Sequence, residues 1–125
     1  MKLRYILIVF LLMSVSCGKY LEERLDSPLI DDVGVTFRYR AVSARTVQLA
    51  GDWNNWGQGD AGSGEILEGL MEDRGKGLWE LTVELRPGRY RYFFIVDEVR
   101  VVLDPENPRS VNDNRGGKAS LLIMP

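Results

Sequence analysis

The residues able to do chemistry are few and unevenly placed. The 125-residue chain has no His and one Cys, Cys17. Without His there is no Ser-His-Asp triad, no Cys-His pair and no His-ligated zinc or haem. One Cys makes no intrachain disulfide and no paired-Cys metal knuckle. Carboxylates are plentiful in loop-like stretches, at Asp52, Asp60, Glu65, Asp97 and Asp104. Paired-carboxylate hydrolysis needs two of them about 5–10 Å apart across a cleft. Nothing in their spacing sets up such a pair, and the bland reading is solvated loop charge. Asp104-x-Glu106-Asn107 and Asn112-Asp113-Asn114 carry oxygen ligands but lack the spacing of a calcium loop. The expectation is a non-enzyme with no metal site and no cofactor. What remains is indole: Trp53 and Trp56 within Gly51-Asp-Trp-Asn-Asn-Trp-Gly57, and Trp79 further on.

Cys17 belongs to a different chemistry. Lys2 and Arg4 precede an apolar run, Tyr5 to Met13, which Ser14-Val15-Ser16-Cys17 closes with small residues. A charged start, a short apolar stretch and small residues form an export signal. The run is shorter than the roughly 20 residues of a membrane span. The segment resembles a bacterial lipoprotein signal, in which the Cys becomes the lipidated N-terminus. Val15 and Ser16 fit that pattern, while Ser14 stands where Leu is usual. An ordinary signal peptide with an incidental Cys is the alternative. Two or more acyl chains give stable anchoring. Gly18, where an inner-membrane retention signal has Asp, favours an outer membrane if the cell has one. The expectation is therefore a signal peptide at 1–16 and a lipidated Cys17, with the protein exported and anchored to the cell membrane or outer membrane. A charged tether follows over 17–32. The formal charge of −2 supplies no basic field for nucleic acid.

The elements that must position the indoles have a period of two. Val35, Phe37 and Tyr39 alternate with Thr36, Arg38 and Arg40, as in a half-buried strand. Val47 and Leu49 share one face of Thr46–Ala50. Gly77–Leu85 sets Trp79, Leu81, Val83 and Leu85 inward. Arg86-Pro87-Gly88 reads as a tight turn. Arg89 to Val96, Val99 to Leu103 and Ala119 to Met124 complete the strands, and Asn114-Arg-Gly-Gly117 is a turn. Six or seven short strands with Gly- and Pro-rich connections imply an antiparallel β-sandwich over 33–125.

The order of these motifs adds to that reading. A strand leads into Leu49-Ala-Gly-Asp-Trp-Asn-Asn-Trp56. A Gly-rich loop, Gly77-Leu-Trp79, Pro87-Gly88-x-Tyr90-x-Tyr92-x-Phe94-x-Val96-Asp97 and Asp104-Pro105-x-Asn107-Pro108 follow. This resembles the family 48 carbohydrate-binding modules, which include the glycogen-binding domain of the AMP-activated kinase β-subunit and the N-terminal domains of isoamylases. The resemblance covers about Val33 to Met124. It implies an immunoglobulin-like β-sandwich, no catalysis and an α-glucan such as glycogen as ligand. A sugar's C–H face packs on an aromatic face, and its hydroxyls bond nearby polar groups.

Carried over residue by residue, the resemblance implies that Trp56 is a stacking residue. Packing of its loop against the sandwich edge is the equal alternative. Trp53 and Trp79 are expected in the core. The family's binding cation is replaced by Phe93, and its second stacking Trp falls in Val99-Arg100-Val101-Val102, where Arg100 is nearest. The hairpin Gly is Glu98, a costly choice if that position needs positive φ. The sugar-contacting Asn is replaced by Ala119. The carbohydrate site is thus expected to be Trp56 with Phe93 and Arg100 as altered subsites. Phe93 and Ile95 would share an exposed apolar face, with Val99 and Val101 beside them, and such a patch also suits a protein partner. Cover from the tether or from the loop Gln58–Lys76 is the alternative.

Overall fold

The computed structural model describes residues 24–58, 68–114 and 116–125. The export signal, Cys17, the turn proposed at Tyr20–Leu25 up to residue 23, Asp60, Glu65 and most of the Gly-rich loop lie outside the described residues.

Alternating apolar residues build two antiparallel sheets. β1 (Leu29–Ile30), β2 (Val35–Arg40), β5 (Leu78–Val83) and β4 (Glu72–Asp73) form one, in the order β1-β2-β5-β4. β3 (Val47–Gly51), β6 (Gly88–Val96), β9 (Lys118–Met124) and β8 (Ser110–Asn112) form the other, in the order β3-β6-β9-β8, and β7 (Arg100–Val102) also pairs with β6. This is the all-β antiparallel sandwich that the period of two implied. The only helical element among the described residues is one 3₁₀ turn, Asn55–Gly57.

The two inner faces meet through aromatic rings. Phe37 of β2 lies edge-on to Tyr92 of β6 at 4.8 Å, and Tyr39 stacks on Phe94 at 5.0 Å. Val35, Val47, Leu49, Met71, Trp79 and Leu122 close the core around them. Trp53 stacks on Phe37 at 5.7 Å, and Trp79 donates its indole N–H to the Ala41 carbonyl. Both therefore occupy core positions, and Trp79's polar atom is satisfied as burial requires.

Two readings of the sequence need correcting. The sandwich begins upstream of Val33, because part of the segment taken as tether is built into it. Leu29 and Ile30 pair with Thr36 and Val35. Ser27 is buried and its Oγ accepts a hydrogen bond from the Arg38 backbone N–H. No periodicity betrays so short an edge strand, since two residues cannot show alternation. Asp104 is not a solvated loop charge. It is 2% exposed. Its Oδ2 accepts from the Ser27 and Tyr92 hydroxyls, both at 2.8 Å, and its Oδ1 accepts from the Glu106 N–H. Asn107 donates to the Tyr92 hydroxyl and to the Leu121 carbonyl. This closed network joins the N-terminal segment to the second sheet, and its partners satisfy a charge that would otherwise be costly to bury.

Candidate functional site

The turn after β3 is set by a single side chain. Asn54 is buried. Its Oδ1 accepts from the Gly51 and Gly57 N–H groups, and its Nδ2 donates to the Leu49 carbonyl. Asn55 and Trp56 inside this cage are left-handed, at φ 52° and 56°. That conformation costs about 1–2 kcal/mol for an L-residue and persists only where surrounding bonds dictate it. Gly51 must lack a Cβ, which would sit 2.4 Å from the Trp53 ring. The two tryptophans thus part company. Trp53 turns inward, and Trp56 turns over the outer surface of the second sheet.

On that surface strand alternation decides the neighbours. Tyr92, Phe94 and Val96 face the core, so Arg91, Phe93 and Ile95 face outward. Trp56 and Phe93 meet with ring centroids 4.9 Å apart and planes tilted by 44°. The Arg91 guanidinium carbon stands 5.9 Å from the centre of the Trp56 ring, within cation–π range. Arg91 is aimed by Asp52, which accepts from its Nε at 3.2 Å, its terminal nitrogen at 3.0 Å and its backbone N–H at 2.7 Å. This forked pair holds the guanidinium firmly in its charged form, its pKa raised by the bond and charge of Asp52. Trp56, Arg91, Phe93, Asp113 and Asn114 line a recess of about 160 Å³. Asp113 and Asn114 arrive from the β8–β9 turn, where Asn114 is left-handed at φ 54° and Asp113 Oδ1 accepts from the Gly117 N–H.

The structure brings Trp56 and Phe93 together and excludes Arg100. Arg100 pairs with Val96 and Val101 with Ile95. Directly paired residues share a face, so Arg100 projects from the opposite side of the sheet to Phe93. It borders a different depression with Tyr39, Arg40, Val42 and Asp97. The sequence comparison could not see this, because one residue of register exchanges the faces. Val101 does join Phe93 and Ile95 and is 54% exposed. Leu121 and Ile123 continue the same face through their pairing with Arg91 and Arg89.

Ala119 pairs with Val111 and is fully buried. Gln48 lies on the outer face opposite Ile95. It is covered there by the ends of the Gly-rich loop, donating to the Gly57 and Glu68 carbonyls. Reading the sequence missed Arg91, Asp52, Asp113 and Asn114. Asp52 had been noted only as a loop charge, and Asp113 and Asn114 only as oxygen ligands without calcium-loop spacing, with Asn114 also opening a turn. The outward parity of Arg91, two residues before Phe93, was the available signal.

Asp97, like Asp104, serves the fold. Asp97 Oδ1 accepts from the Arg45 and Thr46 N–H groups, and these bonds lower its pKa. Asp97 and Glu98 are both left-handed, at φ 52° and 67°, so the hairpin does hold Glu where positive φ is required. Among the described residues no three His, Cys, Asp or Glu side chains come together to hold a metal ion. The chemistry available at the recess is contact with a ring face, plus hydrogen bonding from its charged and amide rim.

No curated protein matches the chain significantly. Residues 33–123 match the family model described as the glycogen recognition site of AMP-activated protein kinase. That span is most of the chain and most of the sandwich, including Trp56, Phe93 and the recess they line, and the chain belongs to that family.

Proposed function

We propose that this protein is a non-catalytic carbohydrate-binding module that takes an α-glucan on the outer face of its second sheet. The family supports a carbohydrate-recognition role. The observation that carries the reading here is the Trp56–Phe93 contact beside the forked Arg91–Asp52 pair. It offers aromatic faces to a sugar ring and fixed polar groups to its hydroxyls. The left-handed Trp56 is held in place by Asn54, so the platform exists before ligand arrives and little ordering entropy remains to be lost.

Affinity electrophoresis in gels containing glycogen or amylose tests this. Retardation that Trp56→Ala abolishes is the expected result. Unchanged mobility in every glucan would reject it and favour the second reading, a protein-interaction surface. That reading draws on the apolar run Phe93, Ile95 and Val101 along the same face, and Phe93→Lys with Ile95→Lys would then remove a partner in a pull-down.

The module is further proposed to be exported and held at a membrane by acyl chains on Cys17. The charged start, the apolar run Tyr5–Met13 and the small residues before the only Cys support this. Metabolic labelling with a radioactive fatty acid should mark the wild type and not Cys17→Ala. Equal labelling of both would refute the anchor.

A further inference from the structure

We infer that the end of the sandwich formed by the β2–β3 and β6–β7 connections is a membrane-docking tip, which sets Val42 and Val99 into the headgroup layer of an anionic bilayer and Arg40 and Arg100 on its phosphates. The inference rests on the acyl-anchor reading of Cys17 above and adds the face of the domain that meets the membrane.

Exposure picks out the tip. Val99 at 83% and Val42 at 77% are the two most exposed large apolar side chains among the described residues. They come from different connections, Val42 between β2 and β3 and Val99 between β6 and β7. The fold brings these connections to one end. Val47, which opens β3, pairs with Val96, which closes β6. Across the core Phe37 meets Tyr92 and Tyr39 meets Phe94, so β2 and β6 run toward the same end. Val42 and Arg100 line one depression there. Aliphatic side chains that project beside cations suit insertion at a headgroup layer.

Charge agrees. Arg40, Arg45 and Arg100 are exposed around these valines, and Lys76 is exposed in the loop whose Gly77 lies against the Val42 backbone. Arg40 and Lys76 enter no ion pair among the described residues. The carboxylates of the same connections are Asp97 and Glu98, and Asp97 is engaged by the Arg45 and Thr46 N–H groups. Further back, Arg24 is matched by Glu106, Arg74 by Glu72, and Asp73 accepts from the Gly75 N–H. Four cations thus stand against two carboxylates at the tip. Each cation close to an anionic lipid surface adds to the attraction within a Debye length.

The anchor arrives at the same end. Arg24 and Leu25 line a groove with Arg40 and Val42. Arg24 is tied there by Glu106, and Ser27 by Asp104. Seven residue steps separate Cys17 from Arg24, a reach of at most about 25 Å. The nine residues of β6 span about 30 Å. Standing the domain on its opposite end would therefore lift Arg24 beyond its tether, whereas the tip lies within reach. Phe93 stands three residues before Val96 on β6, so the recess it lines with Trp56 sits back from the bilayer, open to glucan.

Lipid-borne quenching tests the tip on the full chain. Cys17 has no free thiol once acylated, and the chain has no other Cys. A single thiol introduced as Val42→Cys, Val99→Cys or Val33→Cys then takes a nitrobenzoxadiazole label alone. Val33 is the comparison, 68% exposed in the β1–β2 turn at the opposite end. The acylated proteins are placed in vesicles of phosphatidylcholine and phosphatidylglycerol that carry a headgroup spin label. Labels at 42 and 99 should be quenched at least about twofold more than the label at 33. Arg40→Glu with Arg100→Glu should bring all three to one level. Equal quenching at the three positions, with the protein in the vesicle fraction, would overturn the docking tip and leave the anchor standing. Quenching at 42 and 99 that survives both arginine changes would overturn the assignment to anionic lipid. A wild-type Cys17 that takes the label would overturn anchor and tip together.

Discussion

Replacing Asn54 with Ala should unfasten the platform without touching sugar directly. Asn54 makes three buried hydrogen bonds, to the Gly51 and Gly57 N–H groups and to the Leu49 carbonyl. Gly57 N–H retains the Asn54 backbone carbonyl at 3.1 Å, so one donor, Gly51 N–H, loses its partner outright. An orphaned buried donor costs about 1–3 kcal/mol, and the other two bonds are worth about 0.5–1.5 kcal/mol each. The loss sums to about 2–6 kcal/mol. Asn55 and Trp56 then no longer have their left-handed backbone imposed. Relaxation of Trp56 toward negative φ swings the indole off Phe93. Urea unfolding followed by tryptophan fluorescence reads the stability term. Retardation in glycogen, at temperatures where the variant is folded, reads the positioning term. Asn55→Ala is the comparison. Asn55 is exposed, its own side chain makes no hydrogen bond to the described residues, and only its modest left-handed preference is lost. An Asn54→Ala protein within about 1 kcal/mol of wild type, with unchanged retardation, would refute the view that this side chain holds the platform.

Three further outcomes follow from the same geometry. Glu98→Gly should stabilise the domain by about 0.5–1 kcal/mol, because it relieves left-handed strain at φ 67° at the smaller entropic cost of a glycine. Asp97→Gly in the same hairpin should destabilise, since it removes the acceptor that ties Arg45 and Thr46 to the turn; thermal melts of the two variants should move in opposite directions. Arg100→Gln should leave glucan retardation unchanged, its side chain being on the far face of the sheet from Trp56, and loss of binding would contradict that register. Burial raises the Asp104 pKa above its ordinary 3.8 in spite of the hydrogen bonds that oppose the shift. Its protonation stability is therefore fully present below the unfolded value and is lost as pH rises through the folded one. The stability of wild type relative to Asp104→Asn should accordingly increase as pH falls from 7 toward 4 in urea titrations, and a difference independent of pH would show that Asp104 does not titrate in the fold.

Much of the architecture was legible because burial of one sheet face writes itself into alternate residues. Val35-x-Phe37-x-Tyr39 and Tyr90-x-Tyr92-x-Phe94-x-Val96 announced strands and their inner faces, and the structure places them so. Trp79 was assignable to the core on parity alone. The family resemblance marked Glu98 as standing where a hairpin Gly is usual, and the structure holds it at positive φ in the loop between Val96 and Arg100. Strands of two or three residues, β1, β4 and β8, were not legible, because they are held by pairing partners and carry no periodicity of their own.

What the amino-acid sequence determined by itself is the kind of protein this is. Strands of period two with indoles set in a turn make it an all-β antiparallel sandwich. It also determined which side chains of a given strand travel together, since Phe93 and Ile95 share a face in any extended conformation. Only the tertiary structure decided which strands lie beside which, and with it the membership of the site. Pairing of Val96 with Arg100 moved that arginine to the wrong face, while β9 and its turn brought Asp113 and Asn114 from twenty residues downstream to the rim of Trp56 and Phe93. It also turned Asp104 from a surface charge into a buried tie for the N-terminal segment. The reason is physical. Alternation is a property of one strand and can be read locally, whereas register and burial depend on contacts between residues far apart in the chain.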